Sequence, residues 1–195
     1  MRARIAVALV VLLLLPYTWY FAVDPDGFAG AVLELVPGVV GVGLLLAAGL
    51  RRGDCFLRLG RPSRSGLVAL AAVTLLLLPI LASGSWAGWS WAGVLFYAPL
   101  GGVAQELYFR ASLLPALLLA VDRAPVALAL HAVLFMLWHL RTMLEMPRPL
   151  ALVTAAVLSA AGLGWGWQTM RDRTVVWAMV QHTSFLMPMT LLGLA

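Results

Sequence analysis

The chain has 195 residues, of which 63% are hydrophobic and only 11% are charged, and its mean hydropathy is +0.99. A soluble domain of this size carries roughly 25% charged residues, so the composition excludes a soluble enzyme, a nucleic-acid-binding domain and a disordered chain. At about 20 apolar residues per span, this length accommodates about six to eight transmembrane helices. The composition therefore predicts an all-α polytopic membrane protein, a bundle of about seven helices.

Seven hydrophobic segments, joined by short connections, predict one transmembrane domain over residues 1–195. We interpret the first segment as a retained span rather than a signal peptide, because no small-residue cleavage site follows it. The sequence contains no internal repeat and no linker. The predicted spans cover residues 5–23, 28–50, 66–84, 92–121, 124–141, 150–170 and 174–195.

All 13 basic residues are arginines, and their placement predicts the orientation of the chain. With a cytoplasmic N-terminus, ten arginines fall on the cytoplasmic side, two fall on the outer side and one lies within a span. This bias follows the positive-inside rule, so the net charge of +5 indicates topology, and no nucleic-acid partner is expected. Tryptophans predict two interfacial belts, an outer one with Trp86, Trp89 and Trp91 and an inner one with Trp165 and Trp167.

The single cysteine, Cys55, lies among arginines in the loop after the second span. One cysteine excludes an internal disulfide and a cysteine-rich metal site. We therefore expect Cys55 to be an unreactive, reduced thiol.

Few ionisable side chains lie inside the predicted spans. A charge near the bilayer centre costs about 2.5–3.5 kcal/mol even on the insertion scale, which gives the lowest costs. Each of these side chains therefore requires a structural or functional explanation. Glu106 and Arg110 lie four residues apart in the fourth span, so they share a helix face and can pair. Taken alone, this pair is explained equally well by a structural ion pair and by chemistry. Glu34, near the outer end of the second span, is interpreted as a structural residue that reaches the interface.

Three histidines lie in the later spans. His131 and His139 share one stripe of the fifth span with Phe135 between them, and His182 lies in the seventh span. A lone intramembrane histidine is often only a helix–helix hydrogen bond. Glu106, His139 and His182, however, come from three spans and converge only in the bundle core. Such a cluster can hold a water, remove its proton and support an oxyanion, or it can bind a metal ion such as zinc.

The sequence lacks the motifs of three known classes of intramembrane protease. It has no HExxH zinc motif and no GxSxG serine motif, and no aspartate lies deep in a span. Counted at about 1.5 Å per residue from the inner arginines, the glutamate–histidine cluster lies between mid-membrane and the outer half of the bilayer.

Three short motifs on separate spans resemble those of the CPBP intramembrane proteases, also called Abi proteins or type II CAAX prenyl endopeptidases. The family's motifs are EExxxR, FxxxH and HxxxN. The first reads Gln105, Glu106 and Arg110 here, and the extension FRASLLPAL after it also matches the family. The resemblance covers about residues 101–186 and implies a catalytic core at about residues 93–195.

The second and third motifs lie in the fifth and seventh spans. FxxxH is complete from Phe135 to His139, whereas HxxxN keeps His182 and has Leu186 in place of asparagine. The resemblance implies that His139 helps to position a water and that His182 donates to the oxyanion. It also implies that Arg110 orients the carboxylate of the first motif.

Two departures from the family's motifs fall on residues that the resemblance implicates in chemistry. Gln105 replaces the first glutamate, and a glutamine holds a water but cannot take its proton. The resemblance therefore implies that Glu106 acts as the base, or that this chain is slow or inactive. Leu186 removes one oxyanion donor, which typically costs about 10²–10³ in rate, and Thr183 or Ser184 is the candidate replacement.

The resemblance implies a glutamic-type intramembrane endopeptidase of a bacterial inner or plasma membrane. Its partners would be the lipid bilayer and a membrane-anchored protein substrate, with processing of a C-terminal anchor as one substrate class. No cofactor is expected, and a zinc ion held by Glu106, His139 and His182 is the weaker alternative. The alternative function is a non-catalytic scaffold or immunity-type membrane protein that has lost the base. A small transporter is a third reading, which no repeated half supports.

Overall fold

The structure, a computed structural model, describes residues 2–22, 32–60, 63–82 and 92–191. Within these ranges the chain forms eight helices and no strand, so the predicted all-α class is confirmed. The helices are α1 (Arg2–Ala22), α2 (Leu35–Ala47), α3 (Arg64–Ala82), α4 (Gly93–Val121), α5 (Ala124–Trp138), α6 (Leu140–Glu145), α7 (Arg148–Asp172) and α8 (Val176–Leu191).

Each of the seven predicted segments overlaps one of these helices, and the short helix α6 is an addition. Within the described residues, α4 and α7 are long and apolar enough to cross a membrane. The number of seven spans therefore stays a prediction. The predicted outer belt at Trp86, Trp89 and Trp91 lies outside the described residues.

Helix α4 is the central helix, and most of its apolar stretch is buried against α1, α2, α5 and α8. It begins with a π-helical segment, Gly93–Tyr97, and a second one, Phe109–Leu113, interrupts it. Such segments widen a helix locally and are frequent at functional sites. At about 1.5 Å per residue, α4 is about 43 Å long, and Glu106 lies at its midpoint.

Helix α2 packs unusually close to α4 through two glycines. A Cβ on Gly38 would lie 2.7 Å from the Cβ of Leu107, and a Cβ on Gly41 would lie 2.8 Å from the hydroxyl of Ser112. That hydroxyl donates to the carbonyl of Leu107, 2.9 Å away, at the start of the second π-helical segment. No larger side chain fits between the two helices, so their register is fixed.

The loop after α2 docks onto the turn between α7 and α8. The amide of Val175 donates to the carbonyl of Phe56 at 3.0 Å, and the hydroxyl of Thr174 donates to the carbonyl of Arg58 at 2.6 Å. This docking gathers the inner arginines at one end of the bundle, whereas Arg141 and Arg148 lie near the other end. The arginines at the crowded end are Arg4, Arg51, Arg52, Arg58, Arg64, Arg123, Arg171 and Arg173.

This segregation follows the pattern from which the orientation was predicted. Which end faces the cytoplasm stays a prediction. Below, we call the two ends of the bundle the arginine-rich end and the arginine-poor end.

Candidate active site

A buried ion pair lies at the centre of α4. Nη1 of Arg110 donates to Oε1 of Glu106 at 2.9 Å, and both side chains are fully buried. The guanidinium also lies against aromatic rings, with its Cζ 4.2 Å from the ring centre of Phe135 and 5.5 Å from that of Trp165. These cation–π contacts stabilise the charge away from water. The arginine therefore holds the carboxylate in one position.

Helix α8 brings His182 to the same carboxylate oxygen. Nδ1 of His182 lies 2.8 Å from Oε1 of Glu106, and the imidazole is buried. Since an ionised carboxylate only accepts, Nδ1 is the donor. The second oxygen of Glu106, Oε2, is buried and has no hydrogen-bond partner. Buried polar atoms are nearly always paired, so Oε2 is the point at which this group can bind a water.

His139 lies where α5 ends and α6 begins. Its Nδ1 is 3.0 Å from the carbonyl oxygen of Phe135, which only accepts, so Nδ1 donates and Nε2 keeps a free lone pair. In a continuous helix this carbonyl would accept from the amide of His139, which instead donates to Met136 at 3.0 Å. The fifth span was therefore predicted wrongly to run unbroken to residue 141. The break presents the imidazole at the arginine-poor end of α5.

The ring of Phe135 connects the two histidines. Its centre lies 5.2 Å from the ring centre of His139 and 6.0 Å from that of His182. The structure thus brings Glu106 and His182 into direct contact. His139 lies on the other side of Phe135 and makes no direct hydrogen bond to Glu106.

Trp165 belongs to this site, although its place in the sequence predicted an inner membrane belt. Its ring stacks on His182 with centres 4.8 Å apart and an angle of 29° between the planes. The belt assignment was wrong because Gly162 and Gly166 bring this face of α7 close to α5. Those glycines, spaced around Trp165, were the signal for an inward face. Trp167 points elsewhere and is half exposed.

The two positions that depart from the family's motifs lie on the arginine-poor side of Glu106. Oε1 of Gln105 is buried and has no hydrogen-bond partner. Cδ1 of Leu186 lies 3.5 Å from the place that a Cβ on Gly101 would occupy. Leu186 therefore faces α4, and its side chain has no hydroxyl or amide group to donate to an oxyanion. The side-chain amide of Gln105 cannot take a proton from water.

Thr183 and Ser184 are the two candidate replacements for the missing oxyanion donor, and only the hydroxyl of Thr183 is directed towards α4. Ser184 is partly exposed, and its hydroxyl donates to a carbonyl of its own helix at 2.8 Å. The hydroxyl of Thr183 lies instead against Gly102 of α4.

In the described part of the chain, no three histidine, cysteine, aspartate or glutamate side chains form a group that could hold a metal ion. His131 is fully buried, and neither ring nitrogen has a hydrogen-bond partner. Its ring lies nearly perpendicular to that of Phe109, with ring centres 6.1 Å apart.

A family model described as type II CAAX prenyl endopeptidase Rce1-like matches residues 86–186, slightly more than half of the chain. The chain belongs to this family. Neither a curated protein nor a solved structure matches the chain significantly. The family resemblance identified from the three motifs is confirmed.

Membership of the Rce1-like family establishes the membrane setting of the fold and the class of protein. The family is embedded in the membrane and consists of CAAX protease-like peptidases. The matched region contains all three motifs, from Gln105 on α4 to Leu186 on α8. It leaves out α1, α2 and α3, of which α1 and α2 pack against α4.

Proposed function

We propose that this member of the Rce1-like family is an intramembrane endopeptidase, which hydrolyses a peptide bond of a membrane-associated protein by means of a water activated by Glu106 and His139. The observation that supports the proposal is the meeting of Glu106 with His182 at 2.8 Å and with Arg110 at 2.9 Å in a fully buried site. Burying ionisable groups costs free energy. A catalytic role for the unpaired Oε2 of Glu106 explains why the chain keeps these groups in its core.

In the proposed reaction a water binds between Oε2 of Glu106 and Nε2 of His139. Its oxygen attacks the scissile carbonyl carbon while one of these bases takes its proton. The proton then passes to the leaving nitrogen as the C–N bond breaks, so the base returns to its starting state. His182 is the donor to the oxyanion, while Arg110 orients the carboxylate of Glu106. Gln105 holds the water without taking its proton.

The proposed substrate is a membrane-anchored protein, and a C-terminal anchor segment is the class that we favour. Glu106 lies halfway along α4, and His139 lies at the end of α5 towards the arginine-poor end. A peptide bond that reaches this depth must belong to a segment within or close to the bilayer. No cofactor is required by the proposed reaction.

The alternative is a non-catalytic scaffold or immunity-type protein that keeps the fold. The closed ion pair between Glu106 and Arg110, together with glutamine at position 105, is the observation that favours it. A scaffold needs the ion pair for stability but does not need His139.

The test is a map of protein termini in the membrane fraction of the host with the gene deleted, complemented with wild type or with single variants. We expect a processed terminus that disappears on deletion, returns with wild type, and does not return with Glu106→Gln or His139→Ala. Glu145→Gln is the matched control, because Glu145 is a carboxylate whose side chain is 74% exposed on α6. If all variants restore the terminus as well as wild type does, the scaffold replaces the endopeptidase.

A further inference from the structure

Glu34 brings another carboxyl group to the part of α4 that carries Gln105. A Cβ on Gly101 would lie 3.7 Å from Oε2 of Glu34 and 3.5 Å from Cδ1 of Leu186. Gly101 and Gln105 are four residues apart, so they lie on the same face of α4, one turn from each other. The carboxyl group of Glu34 thus lies near Leu186 and one helical turn from Gln105, the two positions at which the motifs depart from the family.

The packing of α2 fixes Glu34 in this place. Glu34 precedes Gly38 by four residues and therefore shares the face of α2 that packs against α4. It adopts helical backbone angles, φ −59° and ψ −24°, and its side chain makes no capping hydrogen bond to α2. The side chain is half-buried and turned towards α4. The sequence-based interpretation, a residue that reaches out to the interface, does not describe this position.

Neither of the neighbouring side chains, Gln105 and Leu186, can take a proton from water, whereas a carboxylate such as that of Glu34 can. The amide of Gln105 has no group that takes a proton from water, and Leu186 offers no polar atom. Gly101 precedes Glu106 by five residues, about 7.5 Å along α4. Leu186 follows His182 by four residues, so it lies one turn from His182 on the same face of α8. Glu34 therefore lies beside the turn of α8 that follows the Glu106–His182 pair.

We propose that Glu34 supplies the proton-transfer carboxylate that the first motif lacks at Gln105. The inference rests on the proposed endopeptidase function. As the water oxygen bonds to the scissile carbonyl carbon, Glu34 takes one proton from that water in place of Glu106 or His139, which then only position the water. It then gives the proton to the leaving nitrogen as the C–N bond breaks, and it ends ionised as it began. Glu106 stays paired with Arg110 and His182 throughout.

The test exchanges the carboxylate between the two helices. The gene-deleted host is complemented with Glu34→Gln, with Gln105→Glu and with both together, and the rate at which the mapped terminus is processed is measured. Since general acid–base catalysis contributes about 10²–10⁴-fold, we expect Glu34→Gln to slow processing by about 100-fold or more. We expect Gln105→Glu to restore the double variant to within about tenfold of wild type, because it returns a carboxylate to the same face of α4, one turn from the present one.

Two controls make the exchange specific. Glu145→Gln is expected to process at the wild-type rate. Gln105→Glu combined with Glu106→Gln is expected to stay inactive, because the restored carboxylate replaces Glu34 and not Glu106. A fold defect in Glu34→Gln would not be repaired by a change on another helix, so rescue separates a chemical role from a structural one.

A pH profile of activity gives a second measurement, which would not change if Glu34 had only a structural role. With the purified full chain in lipid vesicles and a peptide spanning the mapped cleavage site, kcat/KM of wild type is expected to rise with pH through an acidic limb. Glu34→Gln is expected to lose that limb while KM changes less than kcat.

The outcomes separate the two proposals. If wild type processes the terminus and Glu34→Gln does so equally fast, the role of Glu34 is overturned. It is also overturned if the double variant is no faster than Glu34→Gln. Neither result contradicts the endopeptidase function. A wild type that processes no terminus overturns the endopeptidase and this inference with it.

Discussion

Arg110 is the residue on which the stability of the site depends most. Its guanidinium is fully buried, and it neutralises Glu106 at 2.9 Å. We expect Arg110→Ala to lower the free energy of unfolding by about 3–5 kcal/mol, because it leaves an uncompensated buried carboxylate. Thermal or denaturant unfolding in detergent measures the change. Arg148→Ala is the control, because Arg148 is exposed at the start of α7. If Arg110→Ala unfolds at the same temperature as wild type, the Glu106–Arg110 pair does not stabilise the fold.

Cys55 gives a second prediction at this scale. The thiol is fully buried in the loop after α2, and burial, with a smaller contribution from the charge of Asp54, raises its pKa from its ordinary value of 9.0 to about 11. Only the thiolate is nucleophilic. We expect the folded protein to resist iodoacetamide at pH 8 and to react at the ordinary thiol rate once unfolded, as followed by mass spectrometry. Labelling at equal rates in both states would contradict the buried position.

The pKa of Cys55 also fixes the sign of a pH effect on stability. A raised pKa means that the fold favours the neutral thiol, so its contribution is full below about pH 9 and is lost as the pH rises through about 11. Cys55→Ser is expected to flatten this part of the stability profile. An unchanged alkaline slope in the variant would show that other groups produce it.

The sequence predicted those site residues whose partners are local. Glu106 and Arg110 were paired from their spacing alone, because residues four apart in a helix are neighbours whatever surrounds them. The contact between Glu106 and His182 spans 76 positions, so no local pattern gives its distance. Glu34 was interpreted as an interface residue because its approach to α4 depends on glycines, which leave no hydrophobic signal.

Close packing between α4 and α8 carries a prediction at the scale of the elements. A Cβ on Gly102 would lie 2.8 Å from the backbone nitrogen of Thr183 and 3.0 Å from its Cα. Because these are backbone atoms, Gly102→Ala must push α8 away from α4 and draw His182 off Glu106. We expect a loss of about 1–3 kcal/mol in stability and a strong loss of processing.

Gly43→Ala is the matched control for this change. Gly43 is also a glycine within a helix, and a Cβ there meets nothing within 4 Å. Melting temperature and processing of the mapped terminus are measured for both variants. If Gly102→Ala behaves like Gly43→Ala, the approach of α8 to α4 is looser than the structure has it.

Element positions were predictable from hydropathy, and their interruptions were not. All seven predicted segments overlap helices because continuous apolar runs favour helices in a membrane. The break at His139 arises because its imidazole takes the carbonyl of Phe135 that the helix would otherwise use. The π-helical segment Phe109–Leu113 is likewise stabilised by a side chain from within it, the hydroxyl of Ser112. Both features depend on side-chain hydrogen bonds, which an apolar pattern does not encode.

At the scale of the whole molecule, the separation of the arginines predicts how the bundle lies in the membrane. In a Cys55→Ser background, Leu59→Cys lies at the arginine-rich end and Leu144→Cys at the arginine-poor end, and the parent leucines are 95% and 77% exposed. We expect a membrane-impermeant maleimide to label Leu144→Cys in intact cells and Leu59→Cys only after lysis. The reverse pattern would invert the predicted orientation.

The long sequence separation between Glu106 and His182 has a consequence for the synthesis and membrane insertion of the chain. Helix α4 is synthesised and inserted while α8 is still untranslated, so the carboxylate enters the bilayer with Arg110 as its partner and without the imidazole. The Glu106–His182 contact is complete only when α8 has joined the bundle. On the proposed function, the chain is therefore inactive towards neighbouring nascent chains until its last described helix is in place.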